Sequence, residues 1–91
     1  MVQPALEAAA QLERFIAAHP GSTLVLPASA LCGESFFRNG AHERAIPHLQ
    51  RVVEGNADDE TVGPALLRLG ECMAVLQRWS ESEAAFARYL Q

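Results

Sequence analysis

Shifted by 37 residues, the chain lies on itself: Gly33 falls on Gly70, Glu34 on Glu71, Pro27 on Pro64, Ala28 on Ala65 and Val25 on Val62. A third, partial copy stands in front. Arg14, Arg51 and Arg88 share one phase, as do Leu12, Leu49 and Phe86, and Ile16, Val53 and Leu90. A period of this length marks a supersecondary unit that cannot bury its apolar face alone, so such units stack and share a continuous core. The repeat therefore predicts a stacked array that holds something on its surface. It argues against a globule built around a buried active site.

Apolar spacing within the period is helical. Leu6, Ala9, Leu12, Phe15 and Ile16 recur at steps of three and four, which predicts a first helix over about 4–18. Pro4 suits its first turn, and His19-Pro20-Gly21-Ser22 ends it. A second helix is predicted from Leu24 to Arg38, capped by Ser22 or Thr23, with Pro27 in its first turns and Gly40 in a left-handed turn beyond it. The third runs from about His42 to Glu54 and ends at Gly55-Asn56; Asp58 or Asp59 opens the fourth, which continues to Leu76. Ser80-Glu81-Ser82-Glu83 reads as a capping box that starts the fifth, ending near Leu90. Leu24-Val25-Leu26 is the one short β-like run, and its image Thr61-Val62-Gly63 is not strand-like, so no strand is expected. Connections this short force neighbouring helices to run antiparallel. One domain over 1–91 follows: a lone helix at about 4–18, a helix pair at about 24–54 and a second pair at about 59–90.

Composition removes several classes of function. Net charge is −4, with 20% charged and 49% hydrophobic residues. Phosphate binding needs a basic stripe and none is present, which excludes nucleic acid as the expected partner. No apolar run approaches the roughly 20 residues of a membrane span, and no signal peptide opens the chain, so the expected location is cytoplasmic, or periplasmic if this is an excised domain. Cys32 and Cys72 differ in phase, form no CxxC and fall in apolar stretches, as buried free thiols do; a bridge between neighbouring helices is the alternative. His19, His42 and His48 share no ligand spacing: His42 and His48, six apart, fall on different helix faces. No metal and no cofactor are expected.

The repeated residues resemble the tetratricopeptide repeat family. The second copy carries Leu66, Leu69-Gly70, Met73, Trp79, Ser82, Phe86 and Tyr89; the first carries Ser29, Cys32-Gly33, Phe36, Gly40, Ala45, Leu49 and Val52. The family builds each repeat from a helix A and a helix B, and the resemblance implies an all-α, right-handed superhelical stack of antiparallel helix pairs, preceded here by a lone B helix. Gly33 and Gly70 then sit where A and B cross, faced by the small Ala45 and Ser82, with Phe36, Met73 and Phe86 filling the space between. The spacing of 37 exceeds the family's usual 34. That lengthening, together with Ala65-Leu66…Leu69-Gly70-Glu71, is similar to repeats of bacterial envelope proteins, namely the Tol–Pal accessory protein and the outer-membrane assembly lipoprotein. Cys32 for Leu, Ser29 for a large residue, Ser82 for Ala, Gln77 for the turn Gly and Ala57 for the closing Pro depart from the pattern.

By family position, Glu34, Phe37, Arg38, Leu67, Glu71 and Val75, with Ala74, are expected to line the concave face formed by the A helices. Glu34 and Glu71 invite an acid–base reading, but no nucleophile, oxyanion nest or metal-ligand histidine accompanies them. They read as groove-lining or plain solvated glutamates. Phe37 beside Arg38 and Glu34 is of the type that anchors interfaces; packing against the first helix is its alternative. Acidic tails recognised by other family members would meet Glu34 and Glu71 here, which disfavours such ligands. His42 and Trp79 share a phase at the inter-helix turns, where both are expected to pack. Arg14, Arg51 and Arg88 are expected along the outer side of the B helices, stems on apolar surface. The small apolar Ala84, Ala85 and Ala87 near the end of the chain suggest an uncovered face. The expected function is non-catalytic: a scaffold that binds a peptide or partner helix in its groove. The alternatives are a module that dimerises through its open ends and an accessory domain of a larger protein.

Overall fold

A computed structural model describes residues 4–55 and 57–91; residues 1–3 and Asn56, where the third helix was expected to end, lie outside it. Five helices follow one another: α1 (Pro4–Ala18), α2 (Val25–Arg38), α3 (His42–Glu54), α4 (Asp59–Val75) and α5 (Trp79–Tyr89). No strand occurs among the described residues, and the all-α helical repeat predicted from the 37-residue period is the fold. Each helix packs on the next, and α2 also touches α4, so the two A helices lie side by side. The body measures 33 × 32 × 17 Å.

The crossing glycines explain how each pair closes. A Cβ on Gly33 would stand 2.7 Å from Leu49 Cδ2, and one on Gly70 would stand 2.5 Å from Phe86 Cε1. A side chain at Gly70 would run into the rigid Phe86 ring, and one at Gly33 would have to displace Leu49. Ala45 and Ser82, equivalent positions of α3 and α5, are buried, and the Ser82 hydroxyl donates to the Gly70 carbonyl at 2.8 Å. Phe36, Leu49, Val52, Met73, Cys32 and Cys72 complete a core that is continuous across both pairs.

Helix ends depart from expectation in instructive ways. Asp58 caps α4 by accepting the Thr61 N–H at 2.9 Å, as predicted for one of the two aspartates. Neither Ser22 nor Thr23 caps α2. Its N-cap is Leu24, whose own N–H bonds back to Ser22 Oγ at 3.1 Å. Pro27 stands third in that helix and has no N–H for a cap to satisfy, which removes much of the cap's value. The capping box at Ser80 does not form either. Gln77 takes a left-handed φ of 60°, and the Gln77 and Arg78 N–H groups bond to the Ala74 and Met73 carbonyls at 3.0 and 2.8 Å. This Schellman closure of α4 makes Arg78 both its end and the N-cap of α5. The fifth helix therefore starts one residue early, at Trp79, and Arg78 pairs with Glu81 at 2.9 and 2.7 Å.

Two packing expectations fail. Trp79 is 64% exposed, whereas its image His42 meets the Phe37 ring edge-on at 5.6 Å. The image of Phe37 is Ala74, so Trp79 has no ring to meet. Arg51 does not lie along the outer surface; it turns in to Ser29 Oγ and His48 Nδ1, both at 3.1 Å. Arg88 reaches sideways to the Val53 carbonyl at 3.3 Å, while Arg14 stays exposed.

Candidate binding groove

The face shared by α2 and α4 is organised by a residue that repeat arithmetic overlooks. Arg68 projects from α4 toward α2. Its Nε and Nη2 grip the two oxygens of Glu34 at 3.0 and 3.2 Å, and its Nη1 reaches Glu71 at 3.3 Å. Arg38, one turn after Glu34, adds a contact at 2.9 Å. The Arg68 guanidinium also covers the Phe37 ring, 4.5 Å from its centroid. A bidentate Arg–carboxylate pair over an aromatic face is a geometry that Lys could not replace. Phe37 thus meets His42 of α3 and Arg68 of α4.

Charge follows from this geometry. Partial burial pushes the Glu34 carboxyl up, but hydrogen bonds from Arg68 and then Arg38 outweigh it and hold the group below its ordinary value. The bond to Glu34 also raises the Arg68 pKa. Glu34 stays ionised and committed to arginine, so it is not poised to shuttle protons in the way a general acid or base must be. Four charges close to one another sum to zero, and the groove presents no strong field of either sign.

Beside this network lies a depression of about 200 Å³, lined by Ala30, Thr61, Pro64, Leu67, Arg68 and Glu34 among others. Among the residues expected in the groove, Glu34, Phe37, Arg38 and Glu71 meet around Arg68, and Leu67 lines the adjacent depression. Val75 stands apart at the end of α4, 58% exposed. Arg68 is the residue that sequence reasoning missed. Its image in the first copy is Leu31, so the repeat pattern gives it no special phase; its position three residues before Glu71 was the available signal.

A second polar cluster joins α1, α2 and α3. Glu13, Cys32 and His48 bring their donor atoms within 4.8 Å of one another, a juxtaposition that no local spacing announces. Its chemistry does not suit a cation. Arg51 can only donate, so His48 Nδ1 accepts at 3.1 Å, and the ring proton lies on Nε2, facing Glu13 at 2.9 Å. The His48 nitrogen that faces the cluster is already engaged by Glu13, and Arg44 holds the other Glu13 oxygen at 2.6 Å. Burial pushes the Cys32 thiol up to about 11, and Cys72 likewise, which leaves both as unreactive thiols. Burial raises the Glu13 pKa too, but the His48 hydrogen bond and Arg44 bring it below the ordinary value. The cluster is a polar tie between three helices.

Residues 64–91 match the family model of the tetratricopeptide repeat, a stretch that covers α4 from Pro64 onward and the whole of α5. Such repeats generally mediate protein–protein interaction and are typically non-catalytic. No curated protein and no solved structure matches the chain. No helix among the described residues is long and apolar enough to cross a membrane.

Proposed function

We propose that this repeat domain is a non-catalytic binding module that holds a peptide or partner helix on the face formed by α2 and α4. The observation that carries this reading is the depression between the two A helices, apolar at Ala30, Pro64 and Leu67 and edged by the Arg68–Glu34 pair. A cleft of this size accepts one apolar side chain, while the paired charges beside it favour a ligand with mixed polarity around that anchor. Glu34 and Glu71 work against an acidic tail, since half of the local charge is negative and both arginines near Glu34 are already engaged.

Selection of ligands from a displayed peptide library, followed by binding to variants, tests the assignment. Leu67→Glu places a charge in the depression, and Val75→Glu alters the exposed end of the same helix. Selected peptides are expected to lose binding to Leu67→Glu and to weaken less on Val75→Glu, with far-UV circular dichroism unchanged. Peptides that bind wild type and Leu67→Glu equally would place the ligand elsewhere.

A further inference from the structure

The two full repeats define a rule for how a B helix is covered. Leu49 of α3 fits against Gly33 of α2, and Phe86 of α5 fits against Gly70 of α4. Three residues after each glycine comes a large buried apolar residue, Phe36 or Met73. Leu12 of α1 occupies the same phase as Leu49 and Phe86, yet no glycine packs against it: Gly33 meets Leu49 and Gly70 meets Phe86. Around it lies an open cleft of about 310 Å³ lined by Leu12, Phe15, Leu24, Pro27, Ala28 and Leu31. Moved along by 37, five of those six become Leu49, Thr61, Pro64, Ala65 and Arg68, all lining the depression over which α2 lays Ala30 and Glu34. The cleft is the same surface one repeat earlier, without its covering helix. Two positions differ. Leu24 replaces Thr61 and Leu31 replaces Arg68, and these leucines are 57% and 62% exposed. The polar partners that Glu34 satisfies in the internal contact are gone, and no charged group lines the cleft.

We propose that this face of α1 and α2 is a second docking surface, filled by an α-helix of a partner protein that sets a glycine opposite Leu12 and a large apolar residue three positions later. The continuity with the α2–α4 contact fixes the geometry, and the absence of charge in the cleft calls for an apolar residue where α2 carries Glu34. A second copy has no such face to offer. The helical glycines Gly33, Gly63 and Gly70 are followed three residues later by Phe36, Leu66 and Met73, all buried within their own fold.

The proposal is independent of the groove assignment, and one titration separates them. The probe is a capped synthetic peptide of the 25–38 sequence carrying Glu34→Leu, added to methyl-labelled protein. Saturable shifts are expected at the methyls of Leu12, Leu24 and Leu31, with those of Leu67 and Val75 unmoved. Gly33→Leu in the peptide, or Leu31→Glu in the protein, should weaken binding about ten-fold or more, the loss of one well-packed contact. Because Leu31 is largely exposed, the fold of Leu31→Glu is expected to be intact by circular dichroism. No saturable shift at millimolar peptide, equal binding of the Gly33→Leu peptide, or shifts centred on Leu67 would each overturn the proposal. So would sedimentation showing a dimer of the free protein that Leu31→Glu dissolves, since a second copy would then occupy the face.

Discussion

The two helix pairs reach the same geometry with different residues. In the α2–α3 pair, Gly33 takes the flexible end of Leu49, Gly40 makes the left-handed turn at φ 76°, and His42 finds Phe37. In the α4–α5 pair, Gly70 takes the flat ring of Phe86, Gln77 makes the turn at φ 60°, and Trp79 stays 64% exposed. Both turns close with the same pair of backbone bonds, from Gly40 and Ala41 to Phe37 and Phe36, and from Gln77 and Arg78 to Ala74 and Met73. The crossing glycine is therefore the element the fold requires, while turn and rim residues vary at a cost in stability.

Adding one methyl at each crossing separates the pairs most strongly. Gly70→Ala drives a Cβ into the Phe86 ring, which meets it with three atoms between 2.5 and 2.8 Å. An overpacked aromatic that cannot change shape should lower stability by about 1–3 kcal/mol. Gly33→Ala meets the Cδ2 and Cγ of Leu49, a side chain with other rotamers to adopt, whereas the gain of roughly 1 kcal/mol in helix propensity is common to both variants. Its cost is expected to be clearly smaller. Urea unfolding midpoints of the two variants check this, and equal losses would mean that ring and leucine yield alike.

The turns come next. An L-residue in the left-handed region costs roughly 1–2 kcal/mol relative to glycine. Gln77→Gly should raise stability by about 1 kcal/mol, and Gly40→Ala should lower it by a similar amount, read as opposite shifts in Tm. A neutral Gln77→Gly would show that its side chain recovers the strain through contacts the turn alone does not reveal.

The rim difference is smaller and has a spectroscopic handle, because Trp79 is the only tryptophan. Ala74→Phe restores the ring that His42 enjoys in the first pair. An edge-on aromatic contact is worth about 0.5–1.5 kcal/mol, here toward the low end because the site is open. A blue shift in Trp79 emission should accompany it; unchanged emission would mean that position 74 does not control the tryptophan.

How much of this was legible follows from what a repeat can encode. The 37-residue phase marks positions that are equivalent, so Gly33 and Gly70, Ala45 and Ser82, and the five helices could all be read from it. It is silent on contacts between non-equivalent phases. Arg68 meets Glu34 and Phe37 across two helices, and Glu13, Cys32 and His48 come from three. Nor does it foresee competition at helix ends: Ser80 has the right neighbours for a capping box, but the closure at Gln77 and Arg78 claims the register first. The residues proposed to bind a partner were placed by family position, and their surroundings come from these longer contacts.

Acid should expose the last and smallest contrast. Across the α4–α5 crossing the polar tie is Ser82 Oγ to the Gly70 carbonyl, and neither group titrates near neutrality. The front of the molecule depends instead on carboxylates. Glu13 ties α1 to Arg44 and His48 of α3, and Glu34 ties α2 to Arg68 of α4. Both carboxyls have pKa values below their ordinary range. A depressed folded-state value means that the stabilisation is fully present above the unfolded pKa, about 4.3 for Glu, and is lost as pH falls below it toward the folded value. These partly exposed pairs contribute only a fraction of a kcal/mol to roughly 1 kcal/mol each, so the global transition should shift modestly. Local opening is the sharper readout. Hydrogen exchange, corrected for intrinsic rates, should show α1 losing protection before α5 as pH falls from about 4.3 toward the depressed folded-state values, with no difference between about pH 7 and pH 5. Uniform loss along the chain would mean that the Glu13 tie holds α1 no more firmly than its apolar stripe alone.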